Sequence, residues 1–390
     1  MKVFRFTLVV FLSWLALNSF SQKKDTTIIL LSDMQIQIEA TQALNDMYNF
    51  KFVESTRQYN WLKQKYKWHP LPYFLLGLNE WWKIMPNPGD KQYDETFLAY
   101  MDTVIRISEV LYKKPEFKVE ASFFLSAAHG FKGRLYSDED RKQWSKATFA
   151  GKAALSYLDD SKGHHNLSPE LLFGDALYNY FSVWIPENYS ILKPVMLMFP
   201  KGDKELGLKQ LKEVSFNAFY TRTEAMVWLM RIRHSYENDP KGAFYIGEYL
   251  HKTYPDNAYF HRYYARLLYT SGKFSQVVDV CEEILARIDS GMTGYEATSG
   301  RYAAFYLGHI NFMRKNYDVA KENFHRAVLF AESIGATETG YYQYSLLNLA
   351  KIYEDGGDKD LARAYYKKVI KNSSRGDSVN KQAKKRLKEM

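Results

Sequence analysis

The side chains best suited to chemistry are few and far apart. His164 and His165 are neighbours in the polar run SKGHHNLSPE, and the other histidines are scattered. Zinc needs three or four ligands converging at set spacing, and this chain has no His-x3-His pair and one cysteine. That cysteine, Cys281 in VVDVCEEIL, falls on an apolar helical stripe and reads as a small buried hydrophobe. Asp138, Glu139 and Asp140 follow Ser137 in GRLYSDEDRKQW. Paired carboxylates can do glycosidase-type acid and base work, but Ser followed by acids reads better as a helix N-cap with a negative first turn. There is no Gly-x-Ser-x-Gly elbow and no phosphate-binding glycine loop. No catalytic set, metal or cofactor is expected, and the chain reads as non-enzymatic.

What must be positioned, then, is surface rather than a reactive centre. The chain has 390 residues, of which 31 are Tyr, 25 Phe and 8 Trp. Aromatic side chains bury large areas at low rotamer cost, which suits both helix packing and binding faces. Residues 1–21 read as a signal peptide, with a basic start at Lys2 and Arg5, an apolar run from Thr7 to Leu17, and a small-x-small site at Ser19-Phe20-Ser21. No cysteine follows that site for a lipid anchor. Export without disulfides is consistent with a fold held by packing. Loss of Lys2 and Arg5 lowers the formal charge from +9 to +7, and part of that lies in the basic tail at 375–390. Nucleic acid is disfavoured as a partner by the compartment. Asn166, Asn188 and Asn372 begin sequons, read here as chance matches.

The elements repeat. In AAFYLGHINFMRKNYDVAKENFHRAVLFA, Leu307-Gly308 is followed by Ala320 at 12 residues from the glycine, then Phe324 and Ala327. Small residues let two antiparallel helices touch, and large ones fill the gap between them. These spacings resemble the tetratricopeptide repeat. A shift of 42 maps Gly308 onto Ala350 and Phe324 onto Tyr366. Backwards, Ala265 takes the Gly308 role, and Arg231 precedes Ala265 by 34, the standard repeat length. Four units are expected between about 222 and 374, with Gly247 standing where an aromatic is usual. The resemblance implies an all-α, right-handed α-solenoid of helical hairpins.

The N-terminal part, 22–184, reads as a less regular helical array. Tyr48, Phe52, Tyr59 and Leu62 line one stripe, Pro70-Leu71-Pro72 makes a turn, and further pairs are expected at 91–136 and 139–184. Ala127, Ala128 and Gly130 in LSAAHGFKG, and Ala150, Gly151 and Ala154 in AGKAALSYL, are expected where helices approach closely. Between this array and the C-terminal one at 206–374 lies IPENYSILKPVMLMFPKGDKELGLKQL, interrupted by Pro186, Pro194 and Pro200. Proline removes a backbone donor and disfavours helix in the residue before it, so 185–205 is expected to be a hinge. Its apolar residues, among them Trp184, Ile191, Met196, Met198 and Phe199, have two readings. One is a plug between the two arrays; the other is an exposed patch for lipid or a partner helix, since Met-rich surfaces adapt to what they touch. The plug is the reading adopted.

The same segment is also similar to the central part of a eukaryotic tetratricopeptide family linked to mitochondrial outer-membrane and inclusion-body-clearance proteins. The matching positions are Gly174, Ser182, Pro186, Gly202, Asp203, Lys204, Gly207 and Leu208. That family has no catalytic residues to carry over, and the leader argues against a mitochondrial address. The chain as a whole resembles exported bacterial tetratricopeptide proteins. The resemblance implies a scaffold for another envelope or secreted protein, or a peptide segment of one. The location would be periplasmic in a two-membrane bacterium, peripheral to the outer membrane. The expected groove residues come from first helices: Arg262, Arg266, Asn311, Arg314, Tyr344, Asn348 and Lys351. The alternative is a protein of the membrane surface, using the apolar hinge and the basic tail.

Overall fold

A computed structural model describes residues 30–190, 193–197 and 199–390. The expected leader at 1–21, and Ile191 and Met198 of the expected hinge, lie outside these residues. The described chain is helical throughout, without a strand. Four hairpins occupy the N-terminal half. They are α1 (Met34–Tyr48) with α2 (Phe52–Lys65), α3 (Leu71–Ile84) with α4 (Asp94–Tyr112), α5 (Lys118–Tyr136) with α6 (Trp144–Ser161), and α7 (Leu172–Asn188) with α9 (Lys204–Asn217). The short α8 (Lys193–Met196) lies between the last two. Four more follow: α10 (Arg222–Ser235) with α11 (Pro240–Thr253), α12 (Ala258–Thr270) with α13 (Phe274–Asp289), α14 (Ala297–Met313) with α15 (Tyr317–Ser333), and α16 (Gly340–Asp355) with α17 (Lys359–Lys371). Each helix packs mainly on its sequence neighbours, as in a solenoid.

The repeat spacings have a direct steric basis. A Cβ on Gly308 would lie 2.8 Å from the Phe324 ring, so the glycine is the seat for that aromatic. Ala350 and Tyr366 repeat the arrangement, both fully buried. At Gly247, where the pattern lacks its aromatic, Leu267 and Met230 fill the place instead, at 2.3 and 3.2 Å from a built Cβ. Gly357 turns the last hairpin with φ of +84°, a conformation that L side chains rarely adopt.

The expected pair at 139–184 is not a hairpin. Its helices are α6 and α7, but α6 packs on α5 and α7 packs on α9. The cause is Glu170, in the 3-10 turn Pro169–Leu171 that leads into α7. Its buried carboxylate accepts from the Phe219, Tyr220 and Thr221 amides at 2.6, 3.0 and 2.8 Å, and from the Thr221 hydroxyl at 2.6 Å. The turn is thus tied to the α9–α10 loop rather than to α6. Gly130 and Gly151 are corrected as well, since nothing lies within 4 Å of a Cβ built on either. The close approach of α5 to α6 is between Gly133 and Ala150, the latter as expected, with Ala150 Cβ 3.6 Å from a Cβ built on Gly133.

The two arrays on either side of the proline-rich stretch share apolar packing. One apolar core runs from Leu30 to Ala383 and takes residues from α1, α3 and α5 as well as from α10 to α18. Tyr48 of α1 packs against Trp82 and Tyr254 at ring distances of 5.2 and 5.1 Å, and Trp82 packs against Phe260 at 5.2 Å. Asn257, which caps α12, donates through Nδ2 to the Tyr48 carbonyl at 2.8 Å. The proline-rich stretch therefore connects two arrays that already share a core. Helix α7 continues through Pro186 to Asn188, because a proline in the last turn removes one hydrogen bond and leaves Tyr189 free to close on the Ile185 carbonyl. Residues 378–389 of the expected tail form α18 (Ser378–Glu389), which buries Val379, Asn380 and Ala383.

Candidate functional site

Helix α12 carries Tyr259, Arg262, Tyr263 and Arg266 at the i, i+3, i+4, i+7 spacing that places four side chains on one face. The stripe continues sideways. Trp228 and Arg231 come from α10, Arg301 and Tyr302 from α14, and Trp81 and Arg134 from α3 and α5. The Arg134 guanidinium lies between two indoles, 4.6 Å from Trp81 and 4.9 Å from Trp228. Arg231 stands 5.2 Å from Trp228. Arg262 lies over Tyr259 and Tyr302 at 5.6 and 6.0 Å, Arg266 over Tyr263 at 5.9 Å, and Arg301 over Tyr302 at 4.8 Å. Tyr341 of α16 extends the row, 4.8 Å from Tyr302. Five arginines interleaved with aromatic rings thus cross six of the first helices, where the N-terminal and C-terminal arrays meet.

All five guanidinium groups are partly buried. Burial and the like charge of Arg231 push Arg134 down to about 10, and burial lowers Arg262. Arg231 is held above its ordinary value, first by Tyr259. An arginine in this range keeps its charge at neutral pH. The carboxylates nearby are Glu224, which accepts the Trp82 indole N–H at 2.8 Å, and Glu296, which accepts the Thr298 amide at 2.9 Å and caps α14. Burial raises both.

The expected groove residues divide. Arg266 belongs to this row, and Arg262 does too but has a structural duty: its Nη1 donates to the Pro86 carbonyl at 2.9 Å and to Ser299 Oγ at 3.1 Å. It clamps the α3–α4 loop to α14 through Nη1. Asn311 is satisfied within its own turn, donating to the Leu307 carbonyl at 3.0 Å and accepting from Asn316 at 3.2 Å. Asn348 is buried, and Lys351 is half-buried with its ammonium 3.5 Å from Gln382 Oε1 of α18. Burial and Arg386 lower that lysine's pKa. Arg314 and Tyr344 are exposed. Arg134, Trp228, Tyr259, Arg301 and Tyr302 were not singled out in the sequence. The four-residue stripe on α12 was the available signal, but Arg134 joins only through long-range packing.

The plug expected at this stretch is described only in part, since Ile191, Leu192 and Met198 fall outside the described residues. Beside it a second core is built from Leu172, Ala176 and Tyr180 of α7 against Leu211, Val214, Ala225, Leu229 and Ile232. Trp184 joins its margin, 4.3 Å from the Tyr236 ring. Met196 and Phe199 are half-buried, and Leu197 is 85% exposed. The glycines of this stretch are steric necessities: a Cβ on Gly207 would lie 2.7 Å from Tyr180 N, and one on Gly202 2.7 Å from Asn179 Cα. Asp203 caps α9 through the Leu206 amide at 3.0 Å, and Lys204 pairs with Glu237 at 3.0 Å.

The other chemistry disperses. Ser137 ends α5 rather than starting a helix, because Gln143 is the residue that precedes α6. Asp138 instead pairs with Arg141 at 3.1 Å. His164 and His165 are exposed in the loop after α6. Cys281 is fully buried, and burial pushes its thiol up. Among the described residues, no group of three His, Cys, Asp or Glu is placed to hold a metal ion, and no helix is long and apolar enough to cross a membrane.

The tetratricopeptide repeat family matches this chain at residues 344–374, the span of α16 and α17. No curated protein sequence matches it. Among solved structures, the chain is similar to human IFIT1, described as a dimer with PPP-AAAA, at 11% identity over 82% of this chain and 68% of that one, with a TM-score of 0.43. It is also similar to yeast Tom70, at 12% identity over 90% of this chain and 94% of that one, with a TM-score of 0.27. Neither superposition is close enough to carry a residue's role across.

Proposed function

We propose that this chain is a non-enzymatic exported scaffold that holds a segment of another envelope or secreted protein along the face built by α10, α12, α14 and α16. The observation behind this reading is the continuous row from Trp228 to Tyr341. Repeat proteins recognise partners through extended surfaces to which each unit adds a few side chains, and Arg, Trp and Tyr are the residues that dominate protein interfaces. The dispersal of carboxylates, histidines and the thiol favours a scaffold over a catalyst. Photo-crosslinking in the native cells tests it, with benzoylphenylalanine at Arg266 and Tyr344 on this face and at exposed Leu329 of α15 as the control. The same single protein captured from both face positions, and not from Leu329, supports the reading. Equal capture from all three positions removes it.

A second reading, contact with a membrane surface, rests on Leu197, which is 85% exposed between the exposed Lys193 and Lys201. An apolar side chain flanked by cations suits an anionic lipid interface. Cosedimentation with anionic vesicles that is lost in Leu197→Asp would favour it.

A further inference from the structure

The five arginines of the row are an exception within this molecule. Elsewhere, Arg141, Arg233, Arg287, Arg326, Arg363 and Arg386 each form an ion pair. Arg57, Arg106, Arg222, Arg314 and Arg375 form none but stand exposed, where water solvates them. Arg134, Arg231, Arg262, Arg266 and Arg301 are partly buried, and no described carboxylate lies within ion-pair distance of them. Glu224 and Glu296 act only at longer range. Positive charge held out of water without a paired anion is unfavourable, and an arriving anion relieves it.

We propose that the row binds an acidic, extended segment of the partner protein, with carboxylates taking the free edges of the guanidinium groups and intervening apolar side chains resting on Trp228, Tyr263 and Tyr302. This rests on the scaffold reading and gives it a ligand class. Spacing supports it. Arg262 and Arg266 are one turn apart, about 6 Å along the helix. Alternate residues of an extended chain lie about 6.6 Å apart on one side, so acids at every second position meet both. The guanidinium fork matches a carboxylate in two parallel hydrogen bonds. A nucleic acid fits less well. Glu224 and Glu296 repel a backbone charged at every unit. A peptide can place neutral residues opposite them.

The test is fluorescence anisotropy on the full-length chain without its leader, at low salt, with a fluorescein-labelled peptide of alternating Glu and Tyr. A Gln-Tyr peptide of equal length and a labelled oligothymidine serve as competitors. The acidic peptide is expected to bind and to be weakened by salt. Arg231→Gln and Arg266→Gln should each reduce its affinity about tenfold, the loss of one charge-assisted contact. Arg266→Lys should recover part of that loss, and Arg375→Gln, exposed and outside the row, should leave affinity unchanged. Thermal unfolding of each variant separates lost binding from lost fold; Arg262 is left intact because it clamps the α3–α4 loop. Equal binding of the Gln-Tyr peptide, tighter binding of oligothymidine, or indifference to both substitutions overturns the proposal. If the acidic peptide fails while cross-linking from Arg266 and Tyr344 still captures one protein, the ligand class is wrong and the scaffold reading stands. If both fail, both are overturned.

Discussion

Trp82 donates its indole N–H to Glu224 Oε1 at 2.8 Å, across 142 residues of sequence. The bond joins α3 to α10 beneath the arginine row and holds the N-terminal array against the C-terminal one. Both side chains are buried, so neither partner can turn to water. Trp82→Phe removes the donor and keeps most of the ring contacts with Tyr48 and Phe260. It should destabilise the fold by about 2 kcal/mol, the range for a hydrogen bond to a charged group. A double-mutant cycle with Glu224→Gln, read by urea denaturation, should show coupling between the two sites. Additive effects would mean that the bond does not join the arrays.

Glu170 should matter more to stability than Glu224 or Glu296 near the row. Its carboxylate satisfies three backbone amides and a hydroxyl of the 219–221 loop. Glu170→Ala leaves those donors buried and unpaired, at about 3 kcal/mol or more. Glu170→Gln keeps acceptor capacity on one oxygen and should cost less. Equal unfolding midpoints for the two variants would contradict this account of the α6–α7 swing.

Two glycines give opposite outcomes. A Cβ on Gly207 meets the Tyr180 amide and the Ala176 carbonyl at 2.7 and 2.8 Å, both backbone atoms that cannot move aside. Gly207→Ala should therefore destabilise the α7–α9 pair by about 1 to 3 kcal/mol. Gly151→Ala, in open space on α6, should be neutral or stabilising by up to about 1 kcal/mol, since alanine is the better helix former. Thermal melts of both proteins decide the matter.

Acid should weaken this protein through its histidines. His261 is fully buried, with Nδ1 3.0 Å from the Tyr295 hydroxyl and no partner on Nε2. Glu283 comes no closer than 3.8 Å to that nitrogen. Burial, helped by His251 and Arg287, therefore prevails and lowers His261 to about 2. An unfolded histidine takes its proton near pH 6.5, so below that value the unfolded chain binds a proton that the folded chain refuses. Stability is complete above about pH 6.5 and is lost progressively as pH falls from there toward 2. His129, His234, His251, His309 and His325 are also lowered by burial and add to the slope. Urea midpoints at pH 7 and pH 5 should differ markedly, and His261→Gln should reduce the difference. A pH-independent midpoint would contradict it.

Local pattern was enough for the hairpins. The spacing of Gly308, Ala320 and Phe324 marks a small residue facing a large one across two helices, and that relation is confined to one hairpin. The glycine at the end of α16 and the cap at Asp203 are local for the same reason. What the periodicity could not show is which surfaces of distant hairpins would meet. The placement of Trp82 on Glu224, the clamp of Arg262 on Pro86, and the joining of Arg134 to Trp228 depend on contacts across 94 to 176 residues. They are set by how the N-terminal array packs on α10 and α12, with Glu170 tying the start of α7 to the α9–α10 loop. A sequence read by itself therefore placed Arg262 and Asn348 on an open helix face; the tertiary structure buried Asn348 and partly buried Arg262, because the faces opposite them come from elsewhere in the chain.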